Sequence, residues 1–222
     1  MTDFAQRFQT GAAVYGCLQG LYTYPVCRDT ITTLLEIEPP GEQTEPHLDF
    51  LRSIFEKSAD SDDYLEQLDI EFTRLFVGPG QNPAPPYASF YLNGATLMGP
   101  EALTVRSFYL DWGMVPLELD RVPDDHISLE LAFMGYLCGE ANAALIDQDV
   151  RQSQALFEAQ LEFMHNHLLT WVPHFCSEVI SATHEDFFIG LSRLTQTQLE
   201  ADSNLLADLI AAATPSLSAP HG

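Results

Sequence analysis

Lysine is almost absent from this chain: of nine basic residues only Lys57 is one, and they stand against 32 acidic residues for a formal charge of −23 over 222 residues. So few cations argue against a nucleic-acid partner, because that binding rests on clustered Lys and Arg neutralising phosphates. A cationic partner is electrostatically welcome, and the same excess of acid also serves solubility. Cysteine is scarce too. Cys17, Cys27, Cys138 and Cys176 are scattered and form no Cys-x-x-Cys pair, so they read as reduced core residues, not as a disulfide framework or a metal clip. No apolar run approaches the roughly 20 residues that span a bilayer, and the N-terminus lacks both a basic region and an unbroken apolar stretch, which predicts a cytoplasmic protein. There is no Gly-x-Ser-x-Gly elbow, dinucleotide fingerprint or His-Glu-x-x-His motif. Gly78-Pro79-Gly80 follows a helical pattern instead of leading into one, so it does not present amides to a phosphate.

What is present is apolar and helical. Hydrophobic residues make up 46% and aromatics 11%, enough for one well-buried core. One all-helical domain is expected over 1–213, with possible lobes at 1–115 and 120–213, followed by a flexible tail at 214–222. Phe4, Phe8, Tyr15, Leu18 and Tyr22 mark a first helix after a Thr2/Asp3 cap, and a short one follows over Asp29 to Ile37. Past an acidic linker (Glu38 to Glu45), Pro46 opens a helix with Leu48, Leu51 and Phe55 inward. Ser61-Asp-Asp caps the next, whose row Leu65, Leu68, Phe72, Leu75 and Phe76 stops at Gly78-Pro79. Pro79, Pro83, Pro85 and Pro86 then predict a stiff, extended surface loop. Pro100 opens a helix closed by Gly113, and Asp124 or Asp125 is expected to cap a long helix so apolar all round that it should be central. A helix over 149–171 should break or kink at Pro173, with further helices from His174 and from Asp186 to Ala213. Convincing period-two alternation is absent, so the fold class is all-α, a globular bundle of about nine helices.

Candidate chemistry is sparse. Asp125 beside His126 has the composition of an acid-base pair, but neighbours at a helix start point apart, which favours a capping Asp and a packing His. Asp124, Asp125, His126 and Glu130 around a divalent ion would make a small helical hydrolase, the alternative enzymatic reading. His165 and His167 diverge by about 200° on a helix and do not easily chelate one ion. Arg74 stands out inside an apolar helix end, where a cation can satisfy the last carbonyls.

The run Glu71-Phe-Thr-Arg-Leu-Phe-Val-Gly-Pro-Gly80, followed by Pro-Pro-Tyr-Ala-Ser-Phe-Tyr91 and then Val122-Pro-Asp-Asp-His126, resembles the signature of the TorD/DmsD family of redox-enzyme maturation chaperones. The likeness is close over 71–137 and looser elsewhere, and Val122 stands where members usually carry a glutamate. It implies an all-helical, non-enzymatic cytoplasmic chaperone without a bound cofactor or metal, as a monomer or a domain-swapped dimer. Its implied partner is the twin-arginine leader and immature precursor of a molybdoenzyme catalytic subunit. The implied peptide-binding residues are Phe72, Arg74, Leu75, Phe76, Pro86, Tyr87, Ser89, Tyr91, Asp125 and His126; for Leu75 and Phe76, core and groove lining are both open readings. A helical adaptor that reads no leader is the third alternative.

Overall fold

The structure, a computed structural model, describes residues 2–38, 46–58, 62–78, 82–94, 99–114 and 122–213, with backbone alone at 2–3 and 55–58. The helices in order are α1 (Thr2–Leu21), α2 (Arg28–Glu36), α3 (Pro46–Ser58), α4 (Asp62–Phe72), α5 (Ala88–Leu92), α6 (Pro100–Asp111), α7 (Ile127–Ile146), α8 (Val150–Phe163), α9 (Leu169–Ala182) and α10 (Asp186–Ala213). A π turn, Thr73–Val77, extends α4, and another, Met164–Leu168, fuses α8 to α9, leaving nine continuous rods among the described residues. The expected all-α bundle is therefore what forms, and the one isolated backbone bridge among those residues is antiparallel, Tyr87 with His126. The Ser61 cap, the Phe55 side chain, most of the acidic linker and the 214–222 tail lie outside the described residues, as do the side chains of Thr2 and Asp3.

Helix α7 is central as its all-round apolarity predicts: Ile127, Leu131, Phe133, Met134, Leu137 and Ala141 are fully buried. It lies along α1, while α10 packs on α3, α8 and α9. Tyr15 donates to Asp202 Oδ2 at 2.8 Å and Tyr22 pairs with Thr195 at 3.2 Å, so two buried hydroxyls fix α10 along α1. Gly190 lets α3 approach α10, since a Cβ there would stand 2.8 Å from Leu51 Cδ2 and 3.0 Å from Phe50 Cδ1. Each fully buried Leu, Phe or Ile stabilises by about 1.5–3 kcal/mol before the entropy of ordering it is subtracted.

Four expectations need correction. The rod does not break at Pro173, which lies inside α9; the irregularity falls one turn earlier, where the N–H of Leu169 reaches back to Met164 O. Cys27 is not core but the exposed N-cap of α2, whereas Cys17, Cys138 and Cys176 are buried, and all four are free thiols. The N-cap of α7 is His126, not Asp124 or Asp125. Of the proline-rich stretch, Pro79, Gly80 and Gln81 lie outside the described residues; the described part, 82–87, leads into the short helix α5 and buries Ala84 and Pro86, so that part is packed, not a free rim.

Candidate functional site

The three stretches that carry the family resemblance meet in space. Helix α4 turns its aromatic row inward, where Phe76 contacts Tyr22, Phe72, Phe175 and Phe188 with ring centroids 4.8–6.2 Å apart. The π turn leaves helix-end carbonyls without helical donors, and the chain that follows supplies them. Gly78 N donates to Thr73 O at 2.7 Å, Asn82 Nδ2 to Phe76 O at 2.8 Å and Ala84 N to Leu75 O at 3.2 Å. The loop is thereby folded back over the end of α4. It then pairs with the start of α7, Ile127 N donating to Pro86 O and Ala88 N to Asp125 O, each at 3.0 Å.

Asp125 and Arg74 both act as caps, but on helices other than their own. The fully buried Asp125 carboxylate accepts from Ser89 N at 2.8 Å and so caps the first turn of α5, whose own N-cap residue Tyr87 supplies no side-chain acceptor. Arg74 Nη2 donates to Ala182 O, the last residue of α9, at 2.7 Å. The same guanidinium clasps Glu71 at 2.7 Å through Nε and 2.6 Å through Nη2, and Thr183 Oγ1 donates to Glu71 Oε1 at 2.5 Å. Those Arg74 hydrogen bonds hold the Glu71 carboxyl below its ordinary pKa against the opposing effect of partial burial. Arg74 thus braces α4 against the α9–α10 corner.

The Asp-His pair is engaged structurally. Asp124 is buried, with Oδ2 taking Arg106 Nε at 2.7 Å and its carbonyl taking the Tyr109 hydroxyl at 3.0 Å. His126 Nδ1 accepts from Ser128 N at 3.1 Å and lies 2.7 Å from Ser128 Oγ, placing the ring proton on Nε2. Burial pushes its pKa down to about 4, so it is neutral at pH 7. Its ring edge meets Tyr87 at 5.0 Å. Glu130, also fully buried, accepts only Trp171 Nε1, at 3.3 Å, and its other oxygen is unpartnered among the described residues. Burial raises its pKa well above the usual carboxylate range, and nearby Asp125 adds to the shift. His126 and Glu130 therefore point to different partners, and no group of three or more His, Cys, Asp or Glu among the described residues is placed to hold an ion.

The candidate binding residues divide by exposure. Phe72, Leu75, Phe76, Pro86, Ser89 and Asp125 are buried, so for Leu75 and Phe76 the structure selects core over groove lining. Tyr87, Tyr91 and His126 are half-buried, and Arg74 is exposed. Tyr91 stacks on Trp171 with centroids 5.6 Å apart, and its buried hydroxyl has no partner among the described residues. Two exposed residues that sequence reasoning passed over stand before and after Arg74 along the chain: Ile70 on α4, 64% exposed, and Val77 at the end of the π turn, 58% exposed. Their signal was positional, since they sit four before and three after Arg74 and off the inward row.

This is an all-helical bundle in which the three stretches of the signature are joined by hydrogen bonds at the end of α4 and the starts of α5 and α7. The model of the "Nitrate reductase delta subunit" family matches residues 40–177, and the chain belongs to that family, which includes the TorD/DmsD maturation chaperones. Among curated proteins it is 27% identical over 206 residues to the chaperone protein TorD of Aliivibrio salmonicida, covering 88% of this chain and 94% of that one. It is 30% identical over 166 residues to the TorD of Photobacterium profundum, covering 74% and 75%. A solved structure from Archaeoglobus fulgidus, described as a redox enzyme maturation protein, shares the fold at TM-score 0.50 and 20% identity, over 90% of this chain and 93% of that one. No helix among the described residues is long and apolar enough to cross a membrane.

Proposed function

We propose that this protein is a cytoplasmic, system-specific chaperone that binds the twin-arginine leader and the immature body of a molybdenum-cofactor oxidoreductase, holding it for cofactor loading before export. It acts by binding and carries out no chemistry of its own. The observation that carries this reading is the end of α4 and its π turn, where Ile70 and Val77 are exposed before and after Arg74 in a segment whose aromatics Phe72 and Phe76 are buried, on a chain of charge −23. An apolar helical leader segment recognises such a surface through anchors one turn apart, and the surrounding acid draws its cationic end. Tyr87, His126 and Tyr91 add half-buried ring surface on the neighbouring elements. Mass spectrometry of what co-purifies from its own cells tests the reading: an uncleaved precursor of a molybdoenzyme is expected. Recovery of unrelated proteins alone would leave the chain an adaptor that reads no leader.

A further inference from the structure

The clasp around Arg74 is built asymmetrically. Its acceptors are sheltered and fixed: the Glu71 side chain is 14% exposed and is held by Thr183, itself 4% exposed, and Ala182 O is the terminal carbonyl of α9. The Thr183 hydroxyl is oriented from both sides, donating to Glu71 and accepting Glu185 N at 3.0 Å. The occupant is the opposite, a long side chain that is 46% exposed. Carboxylate oxygens and a carbonyl within 2.6–2.7 Å of one guanidinium form a seat matched to the planar fork of arginine, which an ammonium cannot reproduce. Ile70, four residues before Arg74 on α4, and Val77, three after it in the π turn, are exposed apolar side chains.

We propose that Glu71, Thr183 and Ala182 O form an arginine-recognition subsite, filled in the unliganded chain by Arg74 as a surrogate, and that an arginine of the leader takes the seat by displacing it. The inference rests on the leader-binding reading above. Arg74 is then an intramolecular competitor: it raises the apparent Kd of arginine-bearing ligands by the inverse of the fraction of time the seat is vacant, and it holds that seat against weak or accidental cations. Apolar contacts to Ile70 and Val77 supply the affinity, and the seat distinguishes arginine from lysine.

The test uses a synthetic peptide with an Arg-Arg pair followed by an apolar segment, and its Lys-Lys counterpart, titrated by fluorescence into wild-type protein, Arg74→Ala and Arg74→Ala/Glu71→Gln. Emptying the seat is expected to tighten the Arg-Arg peptide about tenfold, equivalent to one good charge-assisted hydrogen bond of roughly 1.4 kcal/mol, and to leave the Lys-Lys peptide unchanged. The double variant loses the preference. If Arg74→Ala weakened both peptides alike, the seat would have no ligand role and Arg74 would be only a brace. Arg74→Lys, which keeps charge and stem without the fork, makes the same comparison should the alanine variant not fold. N-acetyl-arginine amide separates the two claims: a saturable rise in the Tm of Arg74→Ala, absent with N-acetyl-lysine amide, supports the seat even if neither peptide binds, an outcome that would instead overturn the leader reading. No such rise, together with no Arg-Arg preference, overturns the seat.

Discussion

Glu130→Gln should change how the protein's stability depends on pH. The Glu130 carboxyl is fully enclosed, with Trp171 Nε1 its one hydrogen-bond partner among the described residues; burial, helped by nearby Asp125, raises its pKa, so the folded state holds the proton more tightly than the unfolded chain, which releases it above about pH 4.5. The folded pKa is raised, so this group's contribution is fully present below the unfolded pKa and falls as pH rises toward the folded one. The folded state then holds one proton more than the unfolded state, and stability declines by about 1.4 kcal/mol per pH unit across that window. Glutamine keeps an oxygen for Trp171 and replaces the acid O–H with an amide donor without titrating. The variant should therefore lose less stability than wild type as pH rises from 5.5 to 7.5, the difference growing by at most about 1.4 kcal/mol per pH unit. For a chain of this size each kcal/mol of that difference corresponds to roughly 2–4 °C in Tm. His126 and His167, whose pKa values burial lowers, oppose the trend on acidification, but they are present in both proteins and cancel in the difference. Urea unfolding at pH 5.5, 6.5 and 7.5 measures it. Parallel curves, or a constant loss in the variant, would show that Glu130 is ionised in the fold and that its unpartnered oxygen has another explanation.

Asp125→Ala should destabilise the protein by about 1–3 kcal/mol, because it leaves Ser89 N buried without an acceptor, while Asp125→Asn should lose less; equilibrium unfolding decides this. Phe76→Ala removes the hub of five rings and should cost about 3–5 kcal/mol, so any loss of peptide affinity in that variant has to be measured where it is still folded. Tyr87→Ala, on a half-buried ring, should weaken leader binding with a stability change near 1 kcal/mol or less; unchanged affinity in calorimetry would move the site away from this loop. In the wild-type protein, replacing two apolar leader residues by serine should weaken binding more than replacing both arginines by lysine, because rim charges are screened over about 8 Å whereas each buried side chain contributes roughly 1.5–3 kcal/mol. The reverse order in a binding titration would mean that charge, not apolar contact, carries the affinity.

Periodicity made the bundle legible, since amphipathic rows report which face of each rod is buried and α7, apolar all round, has nowhere to go but the centre. Capping was legible in kind but not in address. Asp125 and Arg74 were identifiable as cap-forming residues, yet Asp125 caps α5 across 36 residues and Arg74 caps α9 across 108. Local spacing carries no information about a partner that tertiary folding delivers. Pro173 misled for a related reason: the rule for a helix interior assumes a regular ladder, and the π turn beginning at Met164 had already altered it. At the candidate site the aromatics were the obvious residues, and their buried role follows from that same apolarity. Ile70 and Val77 were visible only as apolar residues on the wrong side of a wheel.

The pairing of Pro86–Ala88 with Asp125–Ile127 sets the start of α5 beside the start of α7, so the covalent excursion between them is not what holds the parts of the bundle together. A cut at the exposed Gly113 would leave two polypeptides that still share this bridge, the Asp125–Ser89 cap and the long seam of α1 on α7. The fold can therefore be run as a split protein. Residues 1–113 and 114–222 made separately should reassemble, with intramolecular stability becoming a concentration-dependent affinity. Each fragment would carry one part of the candidate site, the first Glu71 and Arg74 and the second Thr183 and His126, so that the proposed arginine seat would be reconstituted only on reunion.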